Sequence, residues 1–193
     1  MIMGTQSSPE VQVFERVDKQ GRVTRRVSMK GGKLHGPTLK YDAQGEVSRI
    51  LSYHEGRFEG LCELYRKGNL TSALPHKDGK KHGQAKFYDS NGNLITTIEY
   101  AQGLRHGNML SYNEMGNVTQ CVPYVADKRE GVAQAYYPTG EVMKETTYKD
   151  DRKHGPQIHY DRQGEIFRVA HYREGKLLEP AESFHPSLGA VSA

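Results

Sequence analysis

Eleven of the twelve tyrosines fall on a twelve-residue ruler: Tyr41, Tyr53, Tyr65, Tyr88, Tyr100, Tyr112, Tyr124, Tyr136, Tyr148, Tyr160 and Tyr172. The tick between Tyr65 and Tyr88 is filled by His76, one residue early, and only Tyr137 lies off the series. An aromatic residue spaced so strictly marks one small supersecondary unit that is repeated and stacked.

The glycines show that the true period is two ticks. One series runs Gly36, Gly60, Gly83, Gly107, Gly131 and Gly155, and a second runs Gly21, Gly45, Gly68, Gly92, Gly116, Gly140 and Gly164. Both advance by 24 residues, with one step of 23. A third position reads Gly32, Gly56, Gly79, Gly103, Asp127, Asp151 and Gly175. Asp tolerates the left-handed backbone region better than most residues, so this exchange predicts a recurring turn with positive φ.

Between the turns lie two short runs with strand periodicity. Leu94, Thr96, Ile98 and Tyr100 alternate with Ile95, Thr97 and Glu99, and nothing fits a helical period. Asp42, Asp89 and Asp161, each three residues before a glycine, suit side-chain capping of a hairpin turn. The expected fold is all-β: an elongated single-sheet meander of tandem 24-residue hairpins, an open rod of roughly fourteen strands without an enclosed core. At about 4.8 Å per strand the rod would be on the order of 65 Å long. Five Phe, no Trp and 35% hydrophobic residues suit a thin sheet. The expected layout is a disordered N-terminus at 1–10 and a repeat array at 11–178. Within the array come a degenerate first hairpin (11–31), six repeats (32–174) and a truncated copy from 175. A tail follows at 179–193, where Leu177, Leu178 and Phe184 are expected to fold back over the last strand edge.

The run Gly32-Lys-Leu-His35-Gly36-Pro-Thr-Leu-Lys-Tyr41-Asp42-Ala-Gln-Gly45 resembles the MORN repeat in its bacterial variant, and copies beginning at Gly79 and Asp151 match as closely. The resemblance covers about residues 14 to 178. It implies a binding scaffold: eukaryotic MORN arrays look like lipid-surface and protein-docking modules, and bacterial ones resemble antitoxins and immunity proteins. The second copy departs from the pattern at Glu59, at a shortened turn Arg66-Lys67-Gly68, and at Pro75-His76. A bend or a distinct surface is expected there.

Net charge is +4, from 27 basic and 23 acidic residues. That is mildly basic and does not point to nucleic acid. No stretch reaches the length of a membrane-spanning helix. Met1 to Pro9 lacks the layout of a signal peptide. Cys62 and Cys121 lie in different repeats, so they are expected to be unpaired thiols in a reducing cytoplasm; a processed periplasmic form is the alternative.

No residue pattern points to catalysis, a metal or a cofactor. His35, His82, His106 and His154 share one repeat position, but neighbouring copies are spaced by about 10 Å, too far to share an ion. There is no nucleophile elbow, phosphate loop or zinc motif. The glycines Gly36, Gly45, Gly60, Gly83, Gly92, Gly107, Gly116 and Gly155 are read as turn residues. Tyr41, Tyr88, Tyr112 and Tyr160 are read as structural aromatics stacked between strands.

One repeat position is polar inside an otherwise apolar-flanked strand: Arg25, Arg49, Ser72, Thr96, Gln120, Lys144 and Arg168. Two readings stand. Arg25, Arg49, Gln120, Lys144 and Arg168 line a surface that grips an acidic partner or phosphate groups, or their long side chains cover tyrosine rings as cation–π contacts. The functional expectation is a non-enzymatic binding protein. It would be an immunity or antitoxin protein that occludes a cognate bacterial toxin, such as a type VI secretion effector encoded next door. Docking to membrane phospholipid is the alternative.

Overall fold

The computed structural model describes residues 10–184. The expected N-terminal disorder at residues 1–9, and the tail beyond 184, lie outside the described residues. The chain divides into two compact units between Gly92 and Asn93. Both are all-β, and the described residues contain strands, turns and bends but no helix. The all-β meander of hairpins is the fold that forms.

In the first unit consecutive antiparallel strands run Gln12–Val17, Val23–Lys30, Lys33–Tyr41, Val47–His54, Arg57–Arg66 and Asn69–Lys77. The short Lys80–Lys81 and Gly83–Tyr88 follow. In the second they run Leu94–Ala101, Leu104–Tyr112, Val118–Val125, Lys128–Arg129, Gly131–Tyr136, Val142–Lys149, Arg152–Tyr160 and Ile166–Arg173. Two short tail strands, Lys176–Leu177 and Glu182–Ser183, complete it. Opposite Pro75 and Pro123, which offer no N–H, the ladder is broken into two short strands, and the proline carbonyls accept from the N–H of His82 and Glu130 at 3.0 and 3.1 Å.

Two turn types alternate. At the Gly/Asp position both central residues have positive φ, as in Ala126 (48°) and Asp127 (70°), or Asp150 (48°) and Asp151 (68°). That is the type I′ hairpin, whose twist matches the strands it joins. At the other end the turn glycine follows a capping side chain. Asp42 Oδ1 accepts from the N–H groups of Gln44 and Glu46, and Asp161 does the same for Gln163 and Glu165. Asp18 and Asn113 cap in the same way. Tyr137 occupies the corresponding position in its copy, which explains why it lies off the tyrosine ruler. Its hydroxyl donates to the Tyr160 carbonyl at 2.8 Å instead.

Each capped turn is followed by a β-bulge, for example between Lys40 and Tyr41. The residue added by the bulge returns a hydroxyl to the facing carbonyl in Thr24, Ser48, Thr71 and Thr119. This bulge breaks strict alternation at the start of the strand. Phe167, expected on the face opposite Arg168, instead places its ring 5.9 Å from that of His159, which lies directly across from Arg168.

The tyrosines do not form one stack. In the second unit Tyr124, Tyr148 and Tyr172 lie on one face. Tyr112, Tyr136 and Tyr160 lie on the other, where their hydroxyls meet Thr97, Gln134 and Glu145. A twelve-residue step carries the chain across one turn and onto the other face. In each unit most buried residues share one face, here called inner: Thr38, Ser72 and Ala85 in the first, and Val122, Tyr124, Ala133, Thr146 and Ala170 in the second. Small side chains there leave a thin apolar layer, and in the second unit Val122, Tyr124 and Ala133 form its centre with Met109 and Tyr148.

The tail covers the last strand with backbone. Ser183 pairs with Arg168, Glu182 with Val169, and the Phe184 N–H donates to the Phe167 carbonyl at 2.7 Å. The tail thus folds back over the last strand edge as expected, through its backbone, while the side chains of Leu177, Leu178 and Phe184 stay about half exposed.

Candidate binding face

The register of the ladders brings one repeat position into a straight row on the inner face of each unit. In the first unit Arg25 faces Lys40, Lys40 faces Arg49, Arg49 faces Leu64, Leu64 faces Ser72 and Ser72 faces Phe87. In the second the row runs Thr96, Ser111, Gln120, Ala135, Lys144, His159, Arg168 and Ser183, each directly across from the next. Directly opposed side chains share a face and stand about 5 Å apart at Cβ.

Arg16 in turn faces Arg25, so the first unit contains four successive basic side chains, Arg16, Arg25, Lys40 and Arg49, and the second contains three, Lys144, His159 and Arg168. Arg25, Arg49, Lys144 and Arg168 were visible as a repeat position. Lys40 and His159 were not, because they sit on the other strand of each hairpin and become neighbours only through pairing. Gln120 lies in the same row, but between Ser111 and Ala135 and away from the cations. Among the described residues none of Arg25, Lys40, Arg49, Lys144 or Arg168 makes an ion pair. Like charges set directly opposite one another are unfavourable in a sheet. Within the first row Arg25 Nε is also buried without a hydrogen-bond partner.

The cations that cover tyrosines are a different set. Arg105 lies over Tyr124 at 4.2 Å, Arg129 over Tyr148 at 4.3 Å and Lys153 over Tyr172 at 4.6 Å, measured to the ring centroids. These residues occupy one repeat position, two after the type I′ turn. The same position holds Phe58 in the first unit, whose ring packs at 5.6 Å from Tyr53 and 4.2 Å from His76. The cation–π reading of the sequence row is thereby redirected to Arg105, Arg129 and Lys153. Lys144 and Arg168 are left without that role.

In the second unit the cation–tyrosine line and the basic row flank a hollow of about 240 Å³, lined among others by Val122, Ala133, Lys144, Thr146, Tyr148 and Lys153. Its floor is fixed by hydrogen bonds: Gln157 Nε2 donates to Thr146 Oγ1 at 3.0 Å. Burial lowers the His159 pKa below its ordinary value, and the charges of Lys144, Arg168 and Lys153 push it further the same way. Arg129, which also lines the hollow, is held by Asp151 at 2.6 Å, and Arg105 is held by Asp127 at 2.9 Å.

The family model described as the MORN repeat variant matches residues 81–102 and 129–150. Each matched stretch contains the glycine pair and the tyrosine pair that define the period: Gly83, Tyr88, Gly92 and Tyr100 in one, Gly131, Tyr136, Gly140 and Tyr148 in the other. The two matches support reading the chain as a MORN-repeat protein, and MORN repeats are binding modules for protein or lipid. No curated protein matches the chain.

The variant copy departs from the MORN pattern as a tight hairpin. Lys67 (φ 51°) and Gly68 (φ 76°) form a two-residue turn, with Arg66 opposite Asn69. A hollow of about 560 Å³ lies between this turn and the next, lined by Arg66, Asn69, Tyr88 and Ser90 among others. Among the described residues no group of His, Cys, Asp or Glu is arranged to hold a metal ion, and Cys62 and Cys121 are free thiols.

Proposed function

We propose that this chain is a non-enzymatic binding protein whose inner face docks an acidic protein, and that the partner is a cognate toxin or effector which it neutralises by occlusion. The observation that carries the docking half is the placement of cations directly opposite one another without carboxylates to pair them. Such a row is unfavourable in the free protein and becomes favourable when an anionic surface covers it. A pre-paired sheet also loses little conformational freedom on binding. The toxin half rests on the resemblance to bacterial MORN-variant arrays, whose members are associated with antitoxin and immunity roles.

Coexpression tests this reading. A protein encoded beside this chain should arrest growth when expressed alone and lose that effect when the chain is supplied. The Arg49→Glu/Lys144→Glu double variant should keep the fold and fail to protect. A neighbour that stays lethal with the wild-type chain present would sink the proposal. The same cations suit phosphate head groups, which is what favours the second reading, a phospholipid-docking scaffold. That reading requires binding to anionic vesicles that rises at low salt and is lost in the same double variant.

A further inference from the structure

The three-residue basic row of the second unit has a feature that the Arg16, Arg25, Lys40 and Arg49 row of the first lacks: its middle member can lose its charge near neutral pH. His159 is on the strand Arg152–Tyr160, directly across from Lys144 on one side and Arg168 on the other. Lys153, on its own strand, is the other cation acting on it. The tail strand adds no carboxylate to this face. Ser183 is the residue opposite Arg168, while Glu182 pairs with Val169 on the outer face. Glu145, the nearest acid in sequence on Val142–Lys149, is engaged on the outer face by Gln134 and by the Tyr160 hydroxyl. His159 therefore faces cations only.

We infer that Lys144, His159 and Arg168 form a carboxylate-binding site for an acidic polypeptide segment, in which docking is accompanied by uptake of a proton onto the His159 imidazole. This rests on the reading of the inner face as a docking surface for an acidic protein. The geometry sets the coupling. In the free protein a third positive charge between Lys144 and Arg168 is opposed by both, and the Phe167 ring beside the imidazole, at 5.9 Å, withholds water. A carboxylate seated over the row screens the two flanking charges and offers the imidazolium a charge-assisted hydrogen bond. The proton comes from solvent and returns to it on release. Binding and protonation then favour each other by the same factor, as linkage requires. Carboxylate is the occupant to which the row is matched, because successive members stand about one strand spacing apart. Acidic side chains along an extended segment can meet neighbouring members in turn.

The test uses the full chain with labelled histidine, followed by NMR from pH 5 to 8.5 at low salt, with an oligoglutamate peptide as probe. His159 should titrate below an ordinary histidine in the free protein and shift upward when the peptide saturates it. Peptide affinity should rise as pH falls, by at most about tenfold per pH unit, the limit for one proton. His159→Asn should remove that part of the pH dependence, and Lys144→Gln should weaken binding several-fold at every pH. Lys144→Gln also keeps the inference testable if His159→Asn disturbs the fold, since removing the neighbouring charge should raise the His159 titration in the free protein and shrink the peptide-induced shift. If the peptide binds but the His159 titration stays put, or His159→Asn keeps the full pH dependence, proton coupling is overturned while the docking face stands. If the peptide does not bind at any pH, the acidic-protein reading itself fails. Binding to phosphatidylglycerol vesicles in that case would assign the face to lipid.

Discussion

The guanidinium of Arg129 lies over the ring of Tyr148 with its Cζ 4.3 Å from the centroid. It is fixed there by the next turn. Asp151 Oδ1 accepts from Nε at 2.6 Å and the Asp151 carbonyl accepts from Nη2 at 2.8 Å. Arg105, Asp127 and Tyr124 repeat the arrangement, with Oδ1 and the carbonyl of Asp127 both at 2.9 Å. The Gly-to-Asp exchanges at 127 and 151 thus fall in the two copies whose preceding hairpin offers an arginine. Asp serves the positive φ of the turn and also orients the cation. Where the cation is Lys153 the next turn keeps Gly175.

Replacing Arg129 should therefore cost more than its exposed position implies. The ion pair is partly open to solvent, with side-chain exposures of 36% and 51%, so it contributes at the low end for surface pairs. The ring contact adds roughly 0.5–1 kcal/mol. Arg129→Ala is expected to lower unfolding free energy in urea by about 1–2 kcal/mol. Arg129→Lys should recover part of that, because an ammonium cannot serve both Asp151 acceptors with a planar fork. Lys128→Ala, which removes a pair about 60% exposed on both sides, should change stability far less than Arg129→Ala does. Equal losses in Arg129→Ala and Lys128→Ala would contradict this ranking.

A second expectation concerns the capped turn. Gly92 has φ of +86°, and a Cβ added there would meet nothing within 4 Å. Any loss is then backbone strain alone, without a clash. Gly92→Val should destabilise by about 1–3 kcal/mol, and Gly92→Asn, which tolerates the left-handed region, by clearly less. Equal melting temperatures for wild type and Gly92→Val would disprove the strain argument.

The fold was legible because the copies repeat the same local chemistry: glycine or aspartate at positive φ, a capping side chain in most of them, and alternation between the turns. What alternation could not convey was the bulge after each capped turn, which shifts Phe167 towards His159. Nor could a single-strand reading show that Lys40 and His159 complete two basic rows, since cross-strand partners are set by turn length and bulge together. The covering of tyrosines by Arg105, Arg129 and Lys153 did leave a signal, a shared position two residues after the turn. That position is also filled by Leu34 and Phe58, so charge does not mark it in every copy. The face change of the tyrosines at each turn was likewise hidden by a ruler that counts residues along the chain and takes no account of direction.

Acid should act on this protein in two stages with one sign. His159 has a folded pKa below its unfolded value near 6.5, so the unfolded chain binds the proton first. Stability is then unaffected above that value and declines as pH falls from about 6.5 towards the folded pKa. The Asp151 carboxyl is held below the ordinary aspartate value of 3.8, chiefly by the hydrogen bond from Arg129. Its contribution is present above 3.8 and is lost as pH falls through the lower folded value. Unfolding free energy measured between pH 8 and 2 should show both declines, with His159→Asn removing the upper one and Asp151→Asn shrinking the lower, to which the depressed carboxyls of Asp18, Glu141 and Asp150 also contribute. A flat profile between pH 7 and 5 in the wild type would exclude the histidine step.

The two cysteines provide a chemical test of how thin the sheet is. Cys62 lies on the inner face across from Leu51 and Leu74, and Cys121 pairs with Leu110 and Gln134 on the outer face. Burial pushes both thiols above their ordinary pKa, and for Cys62 this outweighs the opposing charges of Arg49 and Lys81. Less thiolate is then present at pH 8, and the thiolate is the reacting form. Both should react with a disulfide reagent several-fold more slowly in the folded protein than in urea, while remaining reactive, since each is only partly covered. Arg49→Gln should slow Cys62 further, because it removes a charge that favours the thiolate, and should leave Cys121 unchanged. Identical native and urea rates would mean that the sheet does not shield its own side chains. An unchanged Cys62 rate in Arg49→Gln would mean that the arginine head points away from the inner face, and with it the first basic row would be broken.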